Sequence, residues 1–235
     1  MGSLPIVLIP GLFASARLYA EQIPHLWAFG PVTVADHRRS DSLAELARQI
    51  LTDASPRFAL AGLSMGGYIA FEIHRQAPER VARLALLDTT ARPDLPEQSA
   101  VRRQQIEAAR AGRFAEIVDQ LYPRLVHASR AEDQDLRRQV ARMAEETGTD
   151  AFIRQQTAII GRPDSRPDLA AIACPTLILV GEGDQITPPD RAHEIADGIN
   201  GAELVIVPKS GHFSTIERPA EVTRALVRWL EQPAP

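Results

Sequence analysis

One cysteine, Cys174, and one lysine, Lys209, are all that this 235-residue chain has of either type. A lone cysteine excludes an intrachain disulfide and any metal or iron–sulfur site built on thiolates. Its place, just before Pro175 at the mouth of an apolar run, predicts a buried and inert thiol. With lysine nearly absent, the positive charge is arginine; arginine, alanine and proline are abundant together, the pattern of coding biased toward G and C. There is no excess of positive charge: the net charge is −4, which excludes an electrostatic footprint for nucleic acid or an anionic membrane surface. No apolar run approaches the ~20 residues of a membrane-spanning helix. Met1 to Pro10 has no basic stretch ahead of its short apolar run, so it does not read as a signal peptide, and Ile6 stands where a myristoylation motif needs Ser or Thr. Together these features predict a cytoplasmic protein.

What is present is ordinary for a packed domain: 45% hydrophobic and 24% charged residues. Short apolar runs recur: Pro5–Ile9, Val32–Ala35, Phe58–Ala61, Val81–Leu87, Thr176–Val180 and Leu204–Val207. Helical patterns stand between most of them. Ser42 opens one, with Glu45 three residues on as a predicted capping box and Leu43, Leu46, Ala47, Ile50 and Leu51 on one face. Another carries Ile69, Ala70 and Ile73 and stops before Pro78; further helices run from Pro189 to Asp197 and from about Pro219. Near-continuous apolar strands alternating with helices predict an α/β fold, a mostly parallel sheet of about six strands covered on both faces. Right-handed crossovers put every strand's C-terminal end on one edge, where ligands bind in open α/β sheets.

Residues 90–170 break the alternation. They contain no strand pattern and read as four helices, at about 97–111, 113–122, 132–146 and 149–160, punctuated by Gly112, Pro123, Gly148 and Gly161. This predicts a helical lid inserted between two strands, with residues 1–89 and 171–235 forming the core. The insertion holds 13 Arg against 13 Asp plus Glu, which predicts a solvated face and no electrostatic trap for anionic substrates.

The strongest chemical signal is Gly62-Leu63-Ser64-Met65-Gly66, a G-x-S-x-G between a predicted strand and a predicted helix. A serine on so sharp a turn sits in strained backbone, and side chains two before and two after would collide. The turn presents the Ser64 hydroxyl in the open and aims the helix N-terminus at that space. Serine needs a base. His212 follows Gly211 in the loop after the last strand, at the same edge; His25, His37, His74, His127 and His193 read as ordinary exposed or partly buried histidines. Histidine needs an orienting carboxylate. Asp184, just past the fifth strand, is the first choice, Asp88 at the end of the fourth strand is a rival, and Glu182 is a fallback. An oxyanion needs two N–H donors. Met65 supplies one; the other comes from the turn after the first strand, at Leu12 or alternatively Phe13.

These residues resemble the α/β-hydrolase superfamily, in its lidded branch of small esterases. The order Ser64, Asp184, His212 is that family's order, and the resemblance covers essentially the whole chain. Pro10-Gly11 replaces a frequent His-Gly, the first strand begins almost at once where relatives often have two more, and Asp36–Asp41 replaces an Asp-x-x-Gly-x-Gly loop. The resemblance implies acyl transfer: a carboxylesterase-like serine hydrolase acting on a small-molecule ester, needing no metal or organic cofactor. A thioesterase, a C–C hydrolase or a lyase would use the same residues; a ligand receptor or a non-catalytic binding module would keep the fold alone. Monomer and dimer are both compatible with the sequence. Phe13, Ile186 and Phe213 near the triad, with Leu121, Tyr122 and Phe152 of the lid, are the expected substrate-pocket residues.

Overall fold

The computed structural model describes residues 3–232; Met1 and Gly2, with which the reading of the N-terminus begins, and residues 233–235 of the predicted core lie outside the described residues. The elements run β1 (Ile6–Ile9), α1 (Ile23–Leu26), β2 (Val32–Val34), α2 (Leu43–Asp53), β3 (Phe58–Leu63), α3 (Met65–Gln76) and β4 (Val81–Leu87). Then come α4 (Pro96–Arg110), α5 (Phe114–Leu125), α6 (Gln134–Thr147) and α7 (Thr149–Ile160). The chain closes with β5 (Thr176–Gly181), α8 (Pro189–Gly198), β6 (Glu203–Val207), α9 (Ser214–Glu217) and α10 (Pro219–Glu231). The six strands form one sheet in the order β2-β1-β3-β4-β5-β6, and every neighbouring pair is parallel.

The central strands β1, β3, β4 and β5 are buried at every position, as their unbroken apolar runs require. Two hydrophobic clusters cover the two faces. One packs Leu46, Ile50, Ile69, Ile73 and Ile195, from α2, α3 and α8, against Leu60, Leu84, Leu86 and Ile178 of the sheet. The other packs Leu226 and Trp229 of α10 against Leu8, Ala85 and Leu177, and continues into the helical segment through Ile117, Val140, Met143 and Phe152. The α4–α7 segment therefore shares its apolar core with the sheet. Within it α4 packs on α7 and α5 on α6.

Local details depart from the sequence reading in four places. Pro123 does not end its helix: α5 runs on to Leu125. The buried Tyr122 and Leu125 flank the proline, and the Tyr122 hydroxyl donates to Arg130 O and Asp133 O at 2.9 and 3.0 Å, tying down the last turn. The capping box of α2 is half formed: Ser42 Oγ accepts from Glu45 N–H, but the Glu45 carboxylate takes Arg48 and Gln49 instead of returning to Ser42. Cys174 is half-buried, not buried, and burial pushes its thiol pKa up, away from the reactive thiolate. His37 and His74 are both buried, not exposed or partly so. No helix among the described residues is long and apolar enough to cross a membrane.

Candidate active site

β3 delivers the chain straight into α3 with only Ser64 between them. Ser64 has φ 55° and ψ −115°, a conformation that costs an L-residue ~1–3 kcal/mol unless its surroundings enforce it. They do. Ser64 N–H donates to Leu87 O at 2.9 Å, and the Thr89 hydroxyl donates to Ser64 O at 2.8 Å. The flanking glycines are steric requirements with distinct neighbours. A Cβ on Gly62 would stand 2.2 Å from Gly66 O, whereas one on Gly66 would stand 2.1 Å from Ile9 O, at the end of β1. Gly67 brings α3 against Thr89, whose Oγ1 lies 2.4 Å from where its Cβ would be.

The three residues that the sequence places at one sheet edge meet there. His212 Nδ1–H donates to Asp184 Oδ2 at 2.8 Å, which leaves Nε2 to accept from the Ser64 hydroxyl at 2.8 Å. Asp184 is fixed in turn: Ile186 N–H and Thr187 N–H donate to Oδ1 at 2.8 and 3.0 Å, and the Thr187 hydroxyl donates to Oδ2 at 2.8 Å. Asp184 and His212 are 3% and 2% exposed. Ser64 itself is only 7% exposed, so its hydroxyl does not stand in the open as the turn alone suggests; it faces a cavity that α4, α5 and α7 wall off.

The rival carboxylates do not reach His212. Asp88 is fully buried, with φ 44°, and its two oxygens accept from Gly181 N–H and the Ser214 hydroxyl. Burial, reinforced by the charge of Asp184, holds its pKa well above the usual carboxylate range. Glu182 is exposed and accepts from Lys209 N–H.

In the turn after β1, Phe13 has φ 45° and its N–H donates to Gln155 Oε1 of α7 at 2.9 Å. Phe13 is thereby removed as an oxyanion donor. The Leu12 and Met65 N–H groups make no hydrogen bond with another described residue.

The cavity at Ser64 has a volume of ≈ 220 Å³, below the roughly 300–1,000 Å³ of drug-sized sites. Leu12, Phe13, Leu121, Ile186 and Phe213 line it, as does His212. Tyr122 and Phe152 do not. Tyr122 is turned away, its hydroxyl spent on the Arg130 and Asp133 carbonyls. Phe152 is core, with its ring 6.2 Å from Phe13 and 4.8 Å from Phe114 between centroids. The even charge count of residues 90–170 is also uneven in space: Arg102, Arg124 and Arg162 line the cavity and no Asp or Glu does.

Residues 37–219 match the family described as alpha/beta hydrolase fold, more than half of the chain. The chain belongs to the α/β-hydrolase fold family. Among solved structures of this family, it is similar to a thermophilic esterase from Thermogutta terrifontis, determined with malate bound. Identity is 30%, the TM-score is 0.87, and the match covers 98% of this chain and 90% of that one. It is also similar to the enol-lactonase from Burkholderia xenovorans LB400, with 25% identity, a TM-score of 0.89 and 99% and 93% coverage. Among curated proteins, the pimeloyl-[acyl-carrier protein] methyl ester esterase of Nitrosomonas europaea is 28% identical over 77% of this chain and 74% of its own. The α/β-hydrolase fold thus joins this chain to hydrolytic enzymes.

Three residues that shape this hydrolase site escaped the sequence reading. His37 Nε2–H donates to Gly11 O at 2.9 Å, and burial holds its pKa below the usual imidazole value, so it backs the β1 turn as a neutral ring. Its position just beyond β2, at the sheet's C-terminal edge, was the available signal. Gln155 joins the Phe13 N–H to the segment above it; a polar residue in a helical pattern gives no such sign. Glu217 is 3% exposed and accepts from Gly211 N–H at 2.8 Å and His127 N–H at 2.7 Å, pinning the His212 loop to the end of α5. Burial raises its pKa.

Proposed function

We propose that the protein is a serine hydrolase that cleaves a small-molecule carboxylic ester through an acyl-enzyme on Ser64. The observation that carries this reading is the continuous line of hydrogen bonds from Ser64 Oγ through the His212 ring to Asp184, each at 2.8 Å and opening on a cavity. The Ser64 oxygen bonds to the ester carbonyl carbon while His212 Nε2 takes its proton, and the carbonyl electron pair moves onto oxygen. The Leu12 and Met65 N–H groups stabilise that oxyanion. Asp184 keeps the proton on Nδ1 and balances the imidazolium charge. Collapse breaks the bond to the alcohol oxygen, which takes the proton from Nε2 and leaves. Water then attacks the acyl-enzyme, giving a proton to Nε2, and the Ser64 oxygen recovers it as the acid departs. One water is consumed, and the steps use no group other than the chain and water.

Residues 90–170 act in this reading as the cap that excludes bulk water and sizes the substrate. The test is a panel of p-nitrophenyl esters from acetyl to decanoyl, hydrolysed by the wild type and by Ser64→Ala. The reading predicts turnover that depends on Ser64 and favours short acyl chains, given the ≈ 220 Å³ cavity. Equal rates for the two proteins on every ester would sink it.

A further inference from the structure

The helical segment contributes three arginines, Arg102, Arg124 and Arg162, to the cavity wall. Arg162 is 7% exposed; its Nε–H donates to Arg92 O at 2.9 Å, and Nη1 binds Asp94 Oδ1 and Ile159 O. Its guanidinium lies over the Tyr68 ring, 4.5 Å from the centroid, and Tyr68 lines the cavity too. Arg102 donates from Nε to Asp94 Oδ2 at 2.8 Å and from Nη1 to Gln156 Oε1 at 2.7 Å. One carboxylate, itself only 1% exposed and outside the lining, therefore orients two guanidiniums. The Nη2 amine of each has no acceptor among the described residues. Arg124, on the last turn of α5, lines the same cavity, is exposed, and pairs with no acid among the described residues. Three guanidiniums thus face a space that no carboxylate lines. Such unspent donors, most of all on the buried Arg162, attract a planar anion that can take two parallel N–H bonds.

We propose that Arg102, Arg124 and Arg162 select esters or lactones whose non-reacting end carries a carboxylate. This rests on the hydrolase reading of Ser64 and adds the substrate class to it. The small cavity favours a short, compact dicarboxylic half-ester over a long neutral chain. The arginines touch the substrate's far end, so their contribution is to binding and orientation, and they take no part in proton transfer.

The test compares the mono-p-nitrophenyl ester of adipic acid with the same compound methylated at its free carboxyl; the two differ in charge and one methyl group, and both report the same bond. We expect the wild type to prefer the free acid by at least about tenfold in kcat/KM, as a charge-assisted hydrogen bond requires. Arg124→Gln and Arg162→Gln bring the ratio toward one, and Arg103→Gln, on an exposed position of α4, leaves it in place. Arg124 is exposed and pairs with no acid among the described residues, so its variant folds even if the Arg162 variant does not. Calorimetry of adipate with Ser64→Ala is run alongside, with binding expected to weaken in Ser64→Ala/Arg124→Gln and at high salt. Ser64-dependent turnover of both esters at a ratio near one overturns the anion assignment and leaves the hydrolase reading standing. No Ser64-dependent turnover of either overturns the hydrolase reading, and the adipate titration then decides the anion site: absence of binding, or binding indifferent to Arg124, overturns it. A preference that survives both arginine changes also overturns it.

Discussion

The sheet's C-terminal edge and the α4–α7 segment above it meet at one cavity but are held by different means. The edge is fixed by backbone. Ser64 can hold its strained conformation because Gly62 and Gly66 carry no Cβ to collide with the backbone packed against them, and the Asp184 and His212 loops are pinned by main-chain N–H groups. The segment is fixed largely by side chains: the packing of Phe152 on Phe13 and Phe114, the bridge from Gln155 to Phe13 N–H, and the two arginines on Asp94. On the proposed function, geometry that must be kept within a fraction of an ångström is assigned to backbone, and geometry that would distinguish substrates to side chains on helices. Substitutions at the edge are expected to abolish the reaction or the fold, and substitutions in the segment to retune it.

The largest expected effect is at the edge. Ser64→Ala and His212→Ala each lower turnover on the order of a million-fold if the three residues act as a unit, and Asp184→Asn about ten-thousand-fold. Steady-state kinetics on one p-nitrophenyl ester measures all three, and comparable loss from Asp88→Asn would break the assignment of the acid. Next comes Gly66→Ala, whose added Cβ would stand 2.1 Å from Ile9 O. It is expected to cost more than about 3 kcal/mol of stability by denaturant titration, because backbone cannot yield as a side chain can.

How far this comparison could be read from sequence follows the same division. Strand–turn–helix order, the glycines around Ser64 and the loop positions of Asp184 and His212 are local, since each follows a strand and a parallel sheet gathers such ends on one edge. The four helices were also legible from their periodicity, with Pro123 overridden by the packing of Tyr122 and Leu125. What the helices face was not. Equal numbers of Arg and acidic residues conceal that Asp94 lies behind Arg102 and Arg162 while the cavity side is left positive. Tyr122 and Phe152 look like pocket residues by composition and are core by packing. His37 and Gln155 act through contacts 26 and 142 residues away in sequence, which no local pattern records.

A smaller effect tests whether the segment supports the edge at all. Gln155→Leu removes the acceptor for a buried N–H and should cost about 1–3 kcal/mol in denaturant unfolding. It should also lower kcat more than it raises KM, because the turn that carries Leu12 loses its support. Unchanged kcat would confine the segment to substrate selection.

The smallest concerns pH. Asp88 binds its proton more tightly folded than unfolded, so the stability it contributes is full below the ordinary carboxylate pKa and is lost as pH rises toward its raised value. Asp88→Asn escapes that loss. Its melting temperature relative to the wild type should rise between pH 5 and pH 8; a gap that stays constant or shrinks over that range contradicts a pKa for Asp88 raised by burial.

The central claim, that Ser64 is an activated nucleophile at the end of a His212–Asp184 line, is tested most directly by reaction with a fluorophosphonate followed by intact-mass analysis and peptide mapping. The account predicts one adduct per chain, on Ser64, formed much more slowly in His212→Ala and not at all in Ser64→Ala. An unlabelled wild type, or an adduct on any other residue, would contradict it.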